Sequence, residues 1–330
     1  MGGDNAPEAI VNGCIDAINS KDGFDVMLIG DSEQINEVLR KKKFSSPRLK
    51  IYHTDEVITN EDIPTKAIKT KQNSSMVVGF KLLKDGEGDV FLSAGNSGAL
   101  LTGALLILGR IKGVDRPALG AVIPAKNGNA LIIDAGLNSS CKPINYLQFG
   151  LFGSLYMKKL YDIKNPTVGL LNVGAESGKG NELIKQAYGL LSNSNLNFIG
   201  NIEGKDIPEG KVHVAVCDGF TGNVLLKFYE GAGTFFFGLI KSIFTHNIFT
   251  KLSALLLKKN LKNLKSLLDP DVLAGAPILG VNGLVIKSHG NSKARTIKYA
   301  LLKAYKFAEG SMLDHIKEEL KNLEVISSGD

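Results

Sequence analysis

Short apolar runs alternating with longer amphipathic segments predict an α/β fold, a mostly parallel sheet with helices on both faces. Two observations carry the prediction. The runs rich in Val, Ile and Leu are apolar along much of their length, the pattern of strands covered on both sides. The 37 glycines fall at strand-to-helix junctions, where tight turns are needed, and follow no collagen-like or low-complexity period.

The elements follow in chain order. Residues 6–20 form an amphipathic helix entered through Gly2, Gly3, Asp4 and Asn5, with Asp4 or Asn5 as N-cap and Pro7 in the first turn. Residues 26–30 are an apolar strand, 32–42 a helix, 49–53 a strand and 74–84 a helix. The strand at 89–94 runs into Gly95, Asn96, Ser97 and Gly98, which open a helix at 97–110. Residues 119–124 and 130–134 are strands, the second followed by the polar stretch Gly136, Leu137, Asn138, Ser139, Ser140, Cys141, Lys142 and Pro143 and a helix at 144–161. The strand at 167–172 leads into Gly174, Ala175, Glu176, Ser177, Gly178, Lys179, Gly180 and Asn181 and a helix at 180–191. Strands at 197–200 and 212–217 come next, and Asp218, Gly219, Phe220, Thr221, Gly222 and Asn223 open a helix at 221–233. The strand at 284–289 ends in His289, Gly290, Asn291 and Ser292, and helices at 292–307 and 312–323 follow. With no internal repeat or low-complexity linker, the chain reads as one domain over 1–330, built as two interleaved lobes. The loop at Gly2 is the exception to this order, because no strand precedes it. The pattern leads to the expectation of a first strand upstream of Met1; a frayed terminus is the alternative.

Composition narrows the function classes. At 330 residues, 44% hydrophobic and 22% charged, the chain is globular in composition. The opening residues lack a signal-peptide pattern, and the longest clean apolar stretch, 99–109, is short of the ~18–20 residues of a membrane span, so a cytoplasmic protein is expected. Cys14, Cys141 and Cys217 are odd in number and scattered, which suggests neither a disulfide framework nor a zinc site. No cofactor and no metal are expected. GAESGKGNE lacks P-loop spacing, no GxGxxG follows the first strands, and no Ser-His-acid order is readable. His53, His213, His246 and His315 read as structural.

The net charge of +6 is local. Residues 234–268 hold six of the 39 basic residues and none of the 33 acidic ones, together with five phenylalanines. Apolar residues recur there at helical spacing, with a break at Thr245, His246 and Asn247, which predicts a protruding amphipathic helical hairpin. A buried or dimer-packing hairpin and contact with an anionic membrane surface both fit. Nucleic acid is not an expected partner, because the remaining charges are interleaved.

Five glycine- and polar-rich loops end predicted strands, where open α/β sheets place their ligand crevices. Their backbone N–H groups and small polar side chains suit an anion. Asn96, Ser97, Thr221 and Ser292 serve equally as helix caps, and Asp134 and Asp218 equally as acceptors that orient loops.

The stretches DVFLSAGNSGALLTGA, RPALGAVIP, NSSCKP, LLNVGAESGKGNELIKQAY, FIGNIEGKDI, VCDGFTGNVLLK and GAPILGVNGLVIKSHGNSKARTIKYA, with the opening MGGDNAPEAIV, resemble the bacterial acyl-carrier-protein:phosphate acyltransferase (PlsX) family over nearly the whole chain. The resemblance implies transfer of a fatty acyl group from acyl carrier protein to inorganic phosphate, giving acyl phosphate for a glycerol-3-phosphate acyltransferase in phospholipid synthesis. It implies an isocitrate/isopropylmalate dehydrogenase-like fold related to phosphotransacetylase, a homodimer, and peripheral association with the inner face of the cell membrane. The chain departs from the family pattern in four places. A strand ending in Asp-Ala usually precedes Met-Gly-Gly-Asp. Gly-Ala-Asn-x-Asp-Cys is here Gly136 to Cys141 without the acid. The stretch before Lys179 usually carries more Glu, and a usual Asp is Asn73.

For that reaction the expected roles are phosphate binding by Lys179, Asn181 and the N–H groups near Asn96 and Ser97. Asn138 and Asn223 would donate to the carbonyl or oxyanion, and His289 would assist departure of the thiolate. Asp4, Asn5, Lys71, Ser74, Ser75, Asp218 and Thr221 are further substrate contacts. The rival readings are a phosphotransacetylase-type enzyme using acyl-coenzyme A and an inactive membrane-associated scaffold.

Overall fold

The computed structural model describes residues 1–257, 275–310 and 312–327. In chain order the elements are α1 (Glu8–Ser20), β1 (Val26–Gly30), α2 (Ser32–Lys41), β2 (Leu49–His53), α3 (Pro64–Thr70), α4 (Ser75–Lys84), β3 (Val90–Ser93), α5 (Ser97–Gly103), β4 (Ala118–Ala125), β5 (Gly128–Ile133), α6 (Pro143–Leu160), β6 (Val168–Leu171), α7 (Glu182–Ser192), β7 (Phe198–Ile202), β8 (Val214–Val216), α8 (Gly219–Thr245), α9 (Ile248–Leu256), β9 (Ala276–Leu279), β10 (Leu284–Lys287), α10 (Ala294–Glu309) and α11 (Met312–Ser327). A π-helical turn, Ala104–Leu108, extends α5. The α/β class is as the apolar runs predict, and the nine predicted strands are all present with shifts at their ends.

Eight strands form one mostly parallel sheet in the order β3-β10-β9-β4-β5-β8-β6-β7, and β1 and β2 form a separate parallel pair. Helices cover both faces. On one, Phe149, Phe152 and Tyr156 of α6 pack with Leu131, Ile133 and Val214 of the sheet. On the other, Phe80 of α4 and Leu100 of α5 pack with Ile132, Ala215 and Val285.

Two elements escape the sequence pattern. The seven-residue α3 is too short to show an apolar period. The strand β9, Ala-Pro-Ile-Leu, contains a proline, which argues against a strand. It is tolerated where β4 parts from β9: only Ala118 and Leu119 pair with it, and at Gly120, the next position along, an added β-carbon would lie 3.4 Å from the Pro277 ring.

The pairing of β4 with β5 decides the geometry of the sites. The strand β9 is antiparallel to both β10 and β4, so those two point the same way, and the direction reverses where β4 pairs antiparallel with β5. The group β3 and β10 therefore points opposite to β5, β8, β6 and β7, and the five loops do not share one rim.

Between the free edges of β1 and β3 lies a cleft of about 900 Å³, lined by Val26 to Ile29 of β1 and Val90 to Ser93 of β3 and walled by Ile10, Val11 and Ile297. Met1 sits at its end, its side chain against Gly30. Neither Asp4 nor Asn5 caps α1: the helix begins at Glu8 after Pro7, and Asn5 turns its side chain toward the carbonyls of Asn291 and Ser292. The hairpin break falls where expected, with Asn247 capping α9; residues 258–268 of the predicted hairpin lie outside the described residues.

Candidate functional site

The loop after β5 is built around one carboxylate. Asp134 is fully buried. Its Oδ1 accepts from the backbone N–H groups of Leu119, Gly136 and Leu137 at 3.0, 3.1 and 3.0 Å. Its Oδ2 accepts from the backbone and the side-chain amide of Asn138, both at 2.7 Å. Burial pushes the Asp134 carboxyl above its ordinary value, against hydrogen bonds from Leu137, Leu119 and Asn138 that favour the charged form. This satisfies the acceptor capacity of a buried carboxylate and fixes the loop backbone.

The start of α8 is pressed onto that loop. Gly219 donates its N–H to the Asn138 carbonyl at 2.7 Å, and Asp218 caps the helix, accepting from the backbone and hydroxyl of Thr221. A β-carbon on Gly222 would come within 1.9 Å of the Asp134 carbonyl oxygen. Gly222→Ala is therefore expected to destabilise the fold by about 3 kcal/mol, read as a lowered denaturant midpoint; an unchanged midpoint would contradict this packing. At the next residue, the half-buried Asn223 side chain lies over Gly136. Among the described residues its amide has no hydrogen-bond partner.

Asn138 is different. Its two amide hydrogens are spent on Pro117 O and Asp134 Oδ2, both at 2.7 Å, so of the two asparagines expected as carbonyl or oxyanion donors Asn138 locks the loop. Burial pushes the thiol of the nearby Cys141 up to about 12, with Asp134 and Asp218 adding to the effect, which disfavours the thiolate.

A second group gathers at the carboxyl ends of β3 and β10. Asp4 N–H donates to Gly290 O at 2.9 Å, and Asn60 Nδ2 reaches the Asp4 carboxylate at 3.5 Å. Asn96 caps α5 through Oδ1, and its amide donates to Thr59 O and Asp62 O, so its hydrogen-bonding groups are also spent. Ser97 is exposed beside it. Lys71 donates to Asp62 Oδ2 at 2.6 Å and to Val57 O, and holds the Asp62 carboxyl below its ordinary value. Ser74 caps α4, and Ser75 is buried behind it. His289 is exposed, 3.8 Å from Glu230 of α8.

Lysine 287, the last residue of β10, belongs to this group and was not singled out from the sequence. It lies in register beside Ser93 and shares the strand face of Val285, which packs in one cluster with Leu225, Leu226 and Tyr229 of α8. Burial lowers its ammonium from the ordinary value, Lys227 adds to this, and Glu230 opposes it. A lysine ending a strand looks from sequence like a solvated terminus; only the packing of α8 over β10 reveals it.

Lys179 and Asn181 stand apart. Asn181 caps α7, and Lys179 is exposed on a loop fixed by Asn172 Nδ2 to Lys179 O and Asn201 Nδ2 to Glu176 O. That loop follows β6, six places along the sheet from β3, about 29 Å at 4.8 Å per strand. Within one chain a single phosphate cannot touch Lys179 and the N–H groups near Asn96 and Ser97 together, so the expected joint site divides in two. The first turns of α8 connect the halves: Asn223 lies at the Asp134 loop, and Glu230 reaches His289.

A model of a family described as fatty acid synthesis protein matches residues 1–314. The phosphate acyltransferase of Acetivibrio thermocellus is 66% identical over 325 residues, 98% of this chain and 96% of that protein. Among solved structures, a phosphotransacetylase from Streptococcus pyogenes superposes with a TM-score of 0.62 at 16% identity, over 92% of this chain and 91% of that one. A 4-hydroxythreonine-4-phosphate dehydrogenase from Klebsiella pneumoniae does so with a TM-score of 0.54 at 12% identity, over 92% and 95%. These two likenesses describe the fold.

Proposed function

Because this chain belongs to the fatty acid synthesis protein family and is an acyltransferase of the phosphate acyltransferase kind, we propose that it moves a fatty acyl group from acyl carrier protein to inorganic phosphate. The 66% identity over nearly the full chain carries the reading. The acyl phosphate would feed a glycerol-3-phosphate acyltransferase and so phospholipid synthesis.

A phosphate oxygen attacks the thioester carbonyl; a C–O bond forms, the C–S bond breaks, and the sulfur leaves as a thiolate that takes up a proton. Phosphate is already a nucleophile, so the enzyme's task is to hold the partners together and to stabilise the oxyanion. Asn223 is assigned the oxyanion, because among the described residues its amide has no hydrogen-bond partner while the loop beneath it is fixed by Asp134. A thiol of ordinary pKa near ~8.5 leaves without much help, and the exposed His289, 3.8 Å from Glu230 of α8, is assigned to assist it.

The exposed residues Phe235, Phe236, Leu239 and Ile243 of α8 and Ile248, Phe249 and Leu255 of α9 support the hairpin as the contact for an anionic membrane or a second copy of the chain. Among the described residues no helix is long and apolar enough to cross a membrane. Flotation with vesicles is expected to recover the protein on phosphatidylglycerol and much less on phosphatidylcholine, and Phe235→Ser with Phe249→Ser is expected to abolish recovery. Equal recovery on both lipids would remove the electrostatic part of this reading.

Assaying acyl carrier protein and acyl-coenzyme A thioesters side by side with phosphate separates the proposal from a phosphotransacetylase-type activity. Turnover of the coenzyme A thioester alone would overturn the carrier-protein assignment.

A further inference from the structure

Resting on the phosphate acyltransfer reading, we propose that Lys287, with Lys227 of α8 facing it, is the anchor that holds inorganic phosphate for the reaction. Three observations place it there. Lys287 ends β10 in register with Ser93, two residues before the Gly95 to Gly98 loop, on the strand face against which α8 packs. Among the described residues its ammonium has no hydrogen bond and no ion pair, although the side chain is only partly exposed. Its charged neighbours on α8 are a second cation, Lys227, and Glu230, whose carboxylate is 3.8 Å from His289.

A partly buried ammonium without an acceptor is costly, and a second cation beside it adds repulsion. A small dianion relieves both at once, and an ammonium binds phosphate as a point charge. Lys227 is one helical turn from Asn223, about 6 Å along the α8 axis. Phosphate on Lys287 and Lys227 and a thioester carbonyl at Asn223 would therefore be held by one rigid helix. The exposed Lys179 follows β6, five strand places from β10, about 24 Å of sheet.

The same chemistry would recognise the phosphodiester of a pantetheine arm, and the kinetics separate the two sources. In steady-state assays with acyl carrier protein thioester, Lys287→Met is expected to raise the KM for inorganic phosphate at least tenfold and leave the thioester KM near that of the unaltered enzyme. Lys287→Arg is expected to recover part of the loss. A rise in the thioester KM alone would overturn the proposal in favour of the pantetheine phosphate. An unchanged phosphate KM in a folded Lys287→Met protein, or a tenfold rise in Lys179→Ala with none in Lys287→Met, would also overturn it. Should Lys287→Met not fold, Lys227→Met gives the same comparison. The rise in Tm with added inorganic phosphate, expected to shrink in both variants, reads binding without turnover. An enzyme that gains Tm through Lys287 but releases no thiol would refute the acyltransfer reading and leave the anion site standing.

Discussion

Asp134→Ala is expected to lower the unfolding free energy by about 3–5 kcal/mol, the scale of removing one member of a buried charged network. The carboxylate is the acceptor for N–H groups of Leu119, Gly136, Leu137 and Asn138 and for the Asn138 amide. Alanine would strand those donors away from water, at roughly 1–3 kcal/mol for each one left unsatisfied before relaxation. Asp134→Asn should fare little better, because its NH₂ would face N–H groups whichever way the amide turns. The loop also carries Asn138 O, the acceptor for Gly219, so the entry of α8 should loosen with it. Urea titration checks the magnitude. A loss under 1 kcal/mol would mean that the loop holds its shape without this carboxylate.

Asn223→Ala is expected to lower kcat by about 10²–10³, the usual cost of deleting one oxyanion donor, with stability almost unchanged. The amide has no hydrogen-bond partner among the described residues, so truncating it strands nothing, and its helix is already fixed by Gly219 and Asp218. Asn223→Asp should be at least as slow, because a carboxylate would repel the developing charge. Single-turnover rates check the assignment. A kcat within threefold of the unaltered enzyme would move the oxyanion elsewhere.

Much of the architecture was legible because burial on two faces writes itself into apolar runs such as Leu131, Ile132 and Ile133. Strand direction left no such mark. The apolar runs of β4 and β5 do not say that the two pair antiparallel, yet that pairing reverses half the sheet and puts Lys179 on the opposite rim from Asn96 and Ser97. The strand Ala276 to Leu279, short and holding Pro277, adds one more place between them. The polar loops were found from their composition, but composition does not say which amides are spent. Asn138, Asn96 and Asn223 look alike in sequence, and only the hydrogen bonds separate them: the amides of Asn138 and Asn96 are spent, and that of Asn223 has no partner among the described residues. Lys287 was missed for a related reason, since the helix that half-buries it lies some sixty residues earlier in the chain.

The most direct test of the central claim is release of free thiol from a long-chain acyl thioester of acyl carrier protein with and without inorganic phosphate, with radiolabelled phosphate counted in the acyl product. The predicted result is thiol release that requires phosphate and matches the label in acyl phosphate one for one. Thiol release that proceeds without phosphate, or no release with it, would contradict the assignment.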